Sequence, residues 1–193
     1  MHRPADRVTD ALQQPRTRLG SHLILVGLPG AGKSTLGPLV ARRMGSTFVD
    51  LDDDIERTAG RRVSEIFARG GESAFRHWER ERTLALKTVP ASIVAPGGGW
   101  ITQPEVVALL RPPSRIVHLR VSPRTALARM GNEVRARPLL SGDDPLSALV
   151  SLERTRVGAY DLADAALDTE SLTLQELVSK AAALASSWGV GIG

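Results

Sequence analysis

The chain has no cysteine, which excludes a disulfide framework, thiolate metal sites and a cysteine nucleophile, and leaves the redox compartment open. Lysine is scarce: Lys33, Lys87 and Lys180 are the only ones, so the net charge of +4 rests on arginine. An arginine-favouring genome explains that as simply as an anion-binding surface does. No basic run and no basic strip interleaved with aromatics is present, and Tyr160 is the only tyrosine, so a nucleic-acid partner is not expected. No apolar run approaches the roughly 20 residues that a bilayer requires, and the first twenty residues lack the apolar centre of a signal peptide. A soluble, cytoplasmic protein without membrane contact, working as a monomer, is the expectation.

What remains is 193 residues with 42% hydrophobic content, enough for one core. Residues 1–20 carry Pro4, Pro15 and four arginines with little apolar periodicity, and read as a mobile tail before a single domain over 21–193. Asp6 and Asp10 make a transit peptide a poor match. Short apolar runs then alternate with amphipathic stretches, as in β-α units around a parallel sheet. The strand candidates are His22–Val26, Thr47–Asp50, Ser92–Ala95, Arg115–Leu119 and Ala166–Asp168. Thr102–Glu105 and Thr173–Glu176 have the shape of capping boxes, and Ser122 followed by Pro123 marks a third helix start. The segment over 131–145, "GNEVRARPLLSGDDP", reads as mobile surface rather than core.

"GLPGAGKS", Gly27 to Ser34, matches G-x-x-x-x-G-K-[ST] directly after an apolar strand and before a helical stretch. Its glycines let backbone N–H groups turn inward around phosphates, and the helix N-terminus adds its positive end. Lys33 is placed to reach the β- and γ-phosphate oxygens and Ser34 to ligate Mg²⁺. The loop is read as holding a nucleoside triphosphate, ATP. The implied fold is α/β of the P-loop NTPase type: a doubly wound five-stranded parallel sheet flanked by helices, with a mobile lid.

The acceptor side rests on three further stretches. In "FVDLDDDIE", Asp50 and Asp52 stand two apart where the second strand leaves the sheet at its carboxyl edge, so one can serve Mg²⁺ and the other the acceptor, or both can be helix caps. Asp53, Asp54 and Glu56 fit the acidic first turn of the helix that follows. On a helix from about Glu72, Arg76 and Glu79 fall on one face beside Phe75 and Trp78, which an ordinary Glu/Arg ladder over a core-facing aromatic pair also explains. Gly97, Gly98 and Gly99 follow the third strand. One glycine would make a turn; three allow a close approach to the backbone.

Taken together, "GLPGAGKST", "DLDDDIE", "GRRVSEIFARGGESAFRHWE", "GGG", "RARPLL" and "RTRVGAY" resemble the shikimate kinases, in that family's order, from about Leu23 to about Leu184. The resemblance implies ATP-dependent phosphorylation of the 3-hydroxyl of shikimate, with Mg²⁺. It places the nucleotide phosphates on Gly30, Ala31, Gly32, Lys33, Ser34 and Thr35, the metal on Ser34 and, through water, Asp50, and the adenine against Arg129. It gives Asp52 the acceptor hydroxyls and the proton of the attacking one. Arg76 and Arg156 would grip the carboxylate, Glu79 would hold Arg76 or reach the acceptor, and Gly97, Gly98 and Gly99 would line the pocket. Lys33 and Arg137 would neutralise the transferring phosphoryl group, with Arg137 in a lid that also contains Arg135 and Pro138. No role is implied for Arg135.

Two residues depart from the family pattern. Trp100 follows the glycines where a small residue is more usual, and Pro96 precedes them; the ring either reshapes the pocket or packs away from it. The rival readings are a gluconate- or nucleoside-monophosphate-type kinase, and a non-catalytic nucleotide-binding module. The former families do not combine D-x-D, F-R-x-x-E and G-G-G in this order. For the latter, the stretch before the first strand is too short for a helix-turn-helix unit.

Overall fold

Leu23 and Leu25 pack into one hydrophobic layer and Ile24 and Val26 into another, because successive side chains of a strand point to opposite faces. A strand apolar at every position therefore has to be covered on both sides, which is the condition of a parallel sheet. The computed structural model describes residues 19–140 and 142–190. The expected tail lies outside the described residues up to position 18, as does the side chain of Arg135.

Five parallel strands form the sheet: β1 (Leu23–Val26), β2 (Thr47–Asp50), β3 (Ser92–Ala95), β4 (Arg115–Arg120) and β5 (Ala165–Asp168), in the order β2-β3-β1-β4-β5. The expected strands hold to within a residue at each end, with His22 falling just before β1. Among the described residues seven α-helices flank them: α1 (Lys33–Arg43), α2 (Leu51–Ala59), α3 (Val63–Ala85), α4 (Pro104–Leu110), α5 (Pro123–Met130), α6 (Pro145–Tyr160) and α7 (Leu174–Ser187). Leu36 and Val40 of α1, Ala126 of α5 and Leu177 and Ala181 of α7 cover one face. Ile55 of α2, Phe75 of α3, Val107 and Leu110 of α4 and Tyr160 at the end of α6 cover the other. Each fully buried Leu or Ile adds about 1.5–3 kcal/mol. Among the described residues no helix is long and apolar enough to cross a membrane.

The amino end of β1 is fastened by polar bonds. Buried His22 accepts from the Ser92 N–H at Nδ1 (3.1 Å) and donates from Nε2 to Leu86 O (2.9 Å). Ser114 Oγ accepts from His22 N–H and donates to Gly20 O, both at 3.0 Å. Burial lowers the pKa of His22, which keeps the ring neutral for this pattern. Leu19 bridges to Pro90 and Gly20 N–H donates to Val89 O.

The helix signals divide. Ser122 caps α5 through Thr125 N–H with Pro123 in the first turn, and Thr173 with Glu176 forms a full capping box on α7. Thr102 does not cap α4: Gln103 occupies that position, and the Thr102 hydroxyl donates back to Gly99 O (2.7 Å). Glu56 is likewise no first-turn residue; its carboxylate accepts from Val63 N–H at the start of α3 (2.8 Å). The 131–145 segment is not surface alone. It forms 3₁₀ turns at Gly131–Ala136 and Pro138–Leu140, and buried Val134 and Leu140 join the core.

Candidate active site

The carboxyl ends of β1, β2 and β3 open into a cleft of about 710 Å³, at the edge where sheets of this kind hold ligands. The loop after β1 forms its floor. Gly32 caps α1 with φ +94°, a left-handed conformation that favours glycine. Lys33 folds back to donate to Gly27 O (3.0 Å) and Leu28 O (3.2 Å). Desolvation, with Arg137 nearby, lowers its pKa to about 8 against the opposing pull of Asp52 and Asp50. A site that strains its ammonium in this way is short of negative charge. Gly30, Ala31, Gly32, Ser34 and Thr35 line the same floor.

Asp50 takes the helix-cap role that the sequence allowed and reaches Ser34 as well. Its Oδ1 caps α2 by accepting from Asp52 N–H (3.1 Å), while Oδ2 accepts from Ser34 Oγ (2.8 Å). A hydroxyl and a carboxylate thus meet at the cleft as hard oxygen donors, the set that suits Mg²⁺. Asp52, one helical step on, faces the cleft with its pKa raised to about 6, first by burial and then by the charges of Asp50 and Glu79. Asp54 belongs to neither group: it is buried and paired with Arg57 and Arg82.

The three glycines each have a reason, and it is not backbone conformation, since none has a positive φ. A Cβ on Gly97 would stand 3.0 Å from Asp52 Oδ1 and 3.3 Å from Glu79 Oε1, one on Gly98 2.6 Å from Arg156 Nη1, and one on Gly99 2.4 Å from Arg76 Nη2. The glycine segment is therefore the surface on which the four candidate acceptor-binding side chains converge. α3 delivers two of them: it is kinked at Gly71 (φ 68°, ψ −170°), so its second part begins near Glu72 as the sequence suggested. Arg76 donates to Glu79 Oε2 (2.7 Å) and to Glu72 Oε1 (2.8 Å). The Glu/Arg ladder and the approach to Gly99 are the same arrangement.

Asp52 Oδ1, Glu79 Oε1 and Arg156 Nη1 are buried without a hydrogen-bonding partner among the described residues. Two acceptors and one donor are left unsatisfied around one short backbone segment, a costly state unless a ligand completes it. Tyr160 Oη is also unpartnered, and its ring stacks on His118 with centroids 4.0 Å apart.

At the far end of the cleft Arg137 and Arg129 line the wall. Arg129 is held by Thr169, donating to its Oγ1 (2.8 Å) and its carbonyl (2.6 Å), and the apolar Leu172, Leu174 and Leu177 line the same cleft. A flat guanidinium and apolar leucines lining one cleft suit a planar heterocycle. Every residue to which the family resemblance gives a role lies in this cleft or against its glycine segment. Trp100 is turned away: 1% exposed, it sits in the core with its Nε1–H donating to Thr83 Oγ1 (3.0 Å). Pro96 forms part of the cleft wall.

Sequence reasoning missed Thr169, Thr83 and Gln103. Gln103 Nε2 donates to Glu79 Oε2 at 2.6 Å. No spacing rule joins positions 24 apart on different elements; the one available signal for Thr169 is its place directly after the last strand.

Comparison with known proteins shows which family this chain is similar to. The family model for shikimate kinase matches residues 29–185. The shikimate kinase of Geobacter sulfurreducens is 39% identical over 163 residues, covering 84% of this chain and 90% of that protein. That of Moorella thermoacetica is 40% identical over 149 residues, covering 77% and 85%. Among solved structures, the shikimate kinase from Acinetobacter baumannii in complex with shikimate superposes with a TM-score of 0.81 at 32% identity, covering 89% of this chain and 95% of that one.

Proposed function

The chain belongs to the shikimate kinase family, and we propose that its cleft transfers the γ-phosphoryl group of ATP to the 3-hydroxyl of shikimate. The observation that carries the acceptor is the set of unmet buried groups. Asp52 Oδ1 and Glu79 Oε1 can accept from hydroxyls, and Arg156 Nη1 can donate to a carboxylate. A small carboxylated polyol supplies both complements at once, and Arg76 beside Gly99 adds a second guanidinium for the carboxylate.

The chemistry then follows from charge. Lys33 exchanges its loop carbonyls for phosphate oxygens, and Arg137 joins it where charge spreads over the γ-oxygens of a loose transition state. Ser34 and, through water, Asp50 would hold Mg²⁺, which when bound neutralises charge on the β- and γ-phosphates. Asp52 aligns the attacking hydroxyl and receives its proton at Oδ1; a pKa of about 6 makes it a stronger base than an ordinary aspartate while leaving it ionised at neutral pH. Arg129 and the leucines opposite take the adenine. One chain supplies every group named, which supports reading the working unit as a monomer; a cytoplasmic location is part of the same proposal.

ADP release from Mg-ATP, followed with shikimate, with gluconate, with nucleoside monophosphates and without acceptor, tests this reading. Strong stimulation by shikimate alone is expected. Stimulation by another acceptor would transfer the mechanism to that substrate, and stimulation by none would favour a nucleotide-binding module.

A further inference from the structure

We propose that Gln103 is a positioning residue that sets acceptor specificity by reserving one oxygen of Glu79 for a substrate hydroxyl; the inference rests on the shikimate kinase reading. Glu79 is fully buried. Its Oε2 already accepts two short bonds, from Arg76 Nη1 (2.7 Å) and Gln103 Nε2 (2.6 Å), while Oε1 has none. Burial raises the pKa of Glu79 against the opposing pull of Arg76, and the group that meets Oε2 beside the guanidinium is the amide nitrogen of Gln103, a donor, and not its oxygen.

Without that amide only the exposed Glu72, which accepts from Arg76 Nε and Nη2, holds the pair end-on. An arginine and a carboxylate prefer two parallel bonds, and Arg76 could then take both oxygens of Glu79. Oε1 would be consumed, and the guanidinium would turn from Glu72 and from its place beside Gly99. Gln103 opposes this by occupying Oε2 together with Arg76, leaving Oε1 beside Asp52 Oδ1 at Gly97. The charged groups facing the Glu79 carboxylate are Arg76 and Glu72 of α3 and Asp52 of α2, and none of them can replace an uncharged donor.

The same short segment also grips the helix backbone. Trp100 donates to Thr83 Oγ1, and Thr83 donates to Glu79 O (2.7 Å). Residues 97–103 thus make room for the acceptor-binding side chains with three glycines and orient one of them with the glutamine.

The test compares wild type, Gln103→Leu and the isosteric Gln103→Glu, with shikimate and with analogues lacking the 4- or the 5-hydroxyl. Wild type should discriminate against the analogue missing the hydroxyl that Glu79 receives. Both variants should raise the KM for shikimate about tenfold, keep the KM for ATP within about twofold, and lose that discrimination, with kcat/KM for the two acceptors converging. A merely structural role would lower kcat/KM for shikimate and both analogues by the same factor, and that result overturns the proposal, as does an unchanged shikimate KM. Melting temperatures identify a variant that fails to fold; if Gln103→Leu does, Gln103→Glu decides by the same criteria. A wild type that shikimate does not stimulate overturns the functional reading and this inference with it, whereas a stimulated wild type with unaltered variants overturns the inference alone.

Discussion

Arg156 and Gly98 are packed so closely that a Cβ on the glycine would stand 2.6 Å from the arginine Nη1. Arg156 is buried, so its guanidinium has little room to retreat, and Gly98→Ala must push it off the acceptor position. The expected result is a rise of about tenfold or more in the KM for shikimate with the KM for ATP within about twofold. Steady-state kinetics with each substrate varied checks this. An unchanged acceptor KM would remove Arg156 from carboxylate binding.

Asp52→Asn keeps the shape of the side chain and removes its charge. Turnover is expected to fall about 10²–10⁴-fold, with ATP affinity nearly intact by direct titration. The variant should also be more stable at neutral pH. A folded pKa of about 6 against the ordinary aspartate value of 3.8 means that the native state holds the proton more tightly. The group therefore favours folding below about pH 4 and opposes it increasingly as pH rises through 6, by an amount on the order of 2–3 kcal/mol when fully ionised. Thermal denaturation should show a larger gain for Asp52→Asn at about pH 7.5 than at about pH 5.

The same shift shapes the pH profile. The kcat/KM for shikimate is expected to rise with pH through about 6 as Asp52 ionises, and the capture of ATP by the free enzyme to weaken above about 8 as Lys33 loses its proton. His118, lowered to about 4, is already neutral across this range and cannot supply the lower limb. Asp52→Asn should abolish that limb in whatever activity remains; a limb that persists would belong to another group.

Much of this was legible because it is local. Four-residue apolar runs gave the strands, and "GAGKS" after an apolar run gave the phosphate floor. The need for a close approach at Gly97, Gly98 and Gly99 could be read, but not the partners: Arg156 and Arg76 reach them from helices at quite different positions in the chain. Thr102 misled because its spacing to Glu105 matches a capping box, while Pro104 starts the helix one residue later and the hydroxyl finds Gly99 O instead. The arginine- and glycine-rich stretch after α5 looked wholly exposed because composition does not reveal that two of its apolar residues, Val134 and Leu140, reach the core.

Trp100→Phe separates packing from chemistry at the residue that departs most from the family pattern. Phenylalanine keeps most of the buried ring but cannot donate to Thr83 Oγ1, and the smaller ring leaves a gap in the layer shared with Ile24 and Val26. A loss of about 1–2 kcal/mol is expected, and with it a melting temperature lower by about 2–8 °C for a chain of this size. The KM for shikimate should stay within about twofold, because Trp100 is linked to Glu79 through Thr83 and the helix backbone and does not touch the carboxylate. The opposite pattern, an altered acceptor KM at an unchanged melting temperature, would mean that the indole shapes the acceptor pocket directly, and would shift the source of specificity from Gln103 to Trp100.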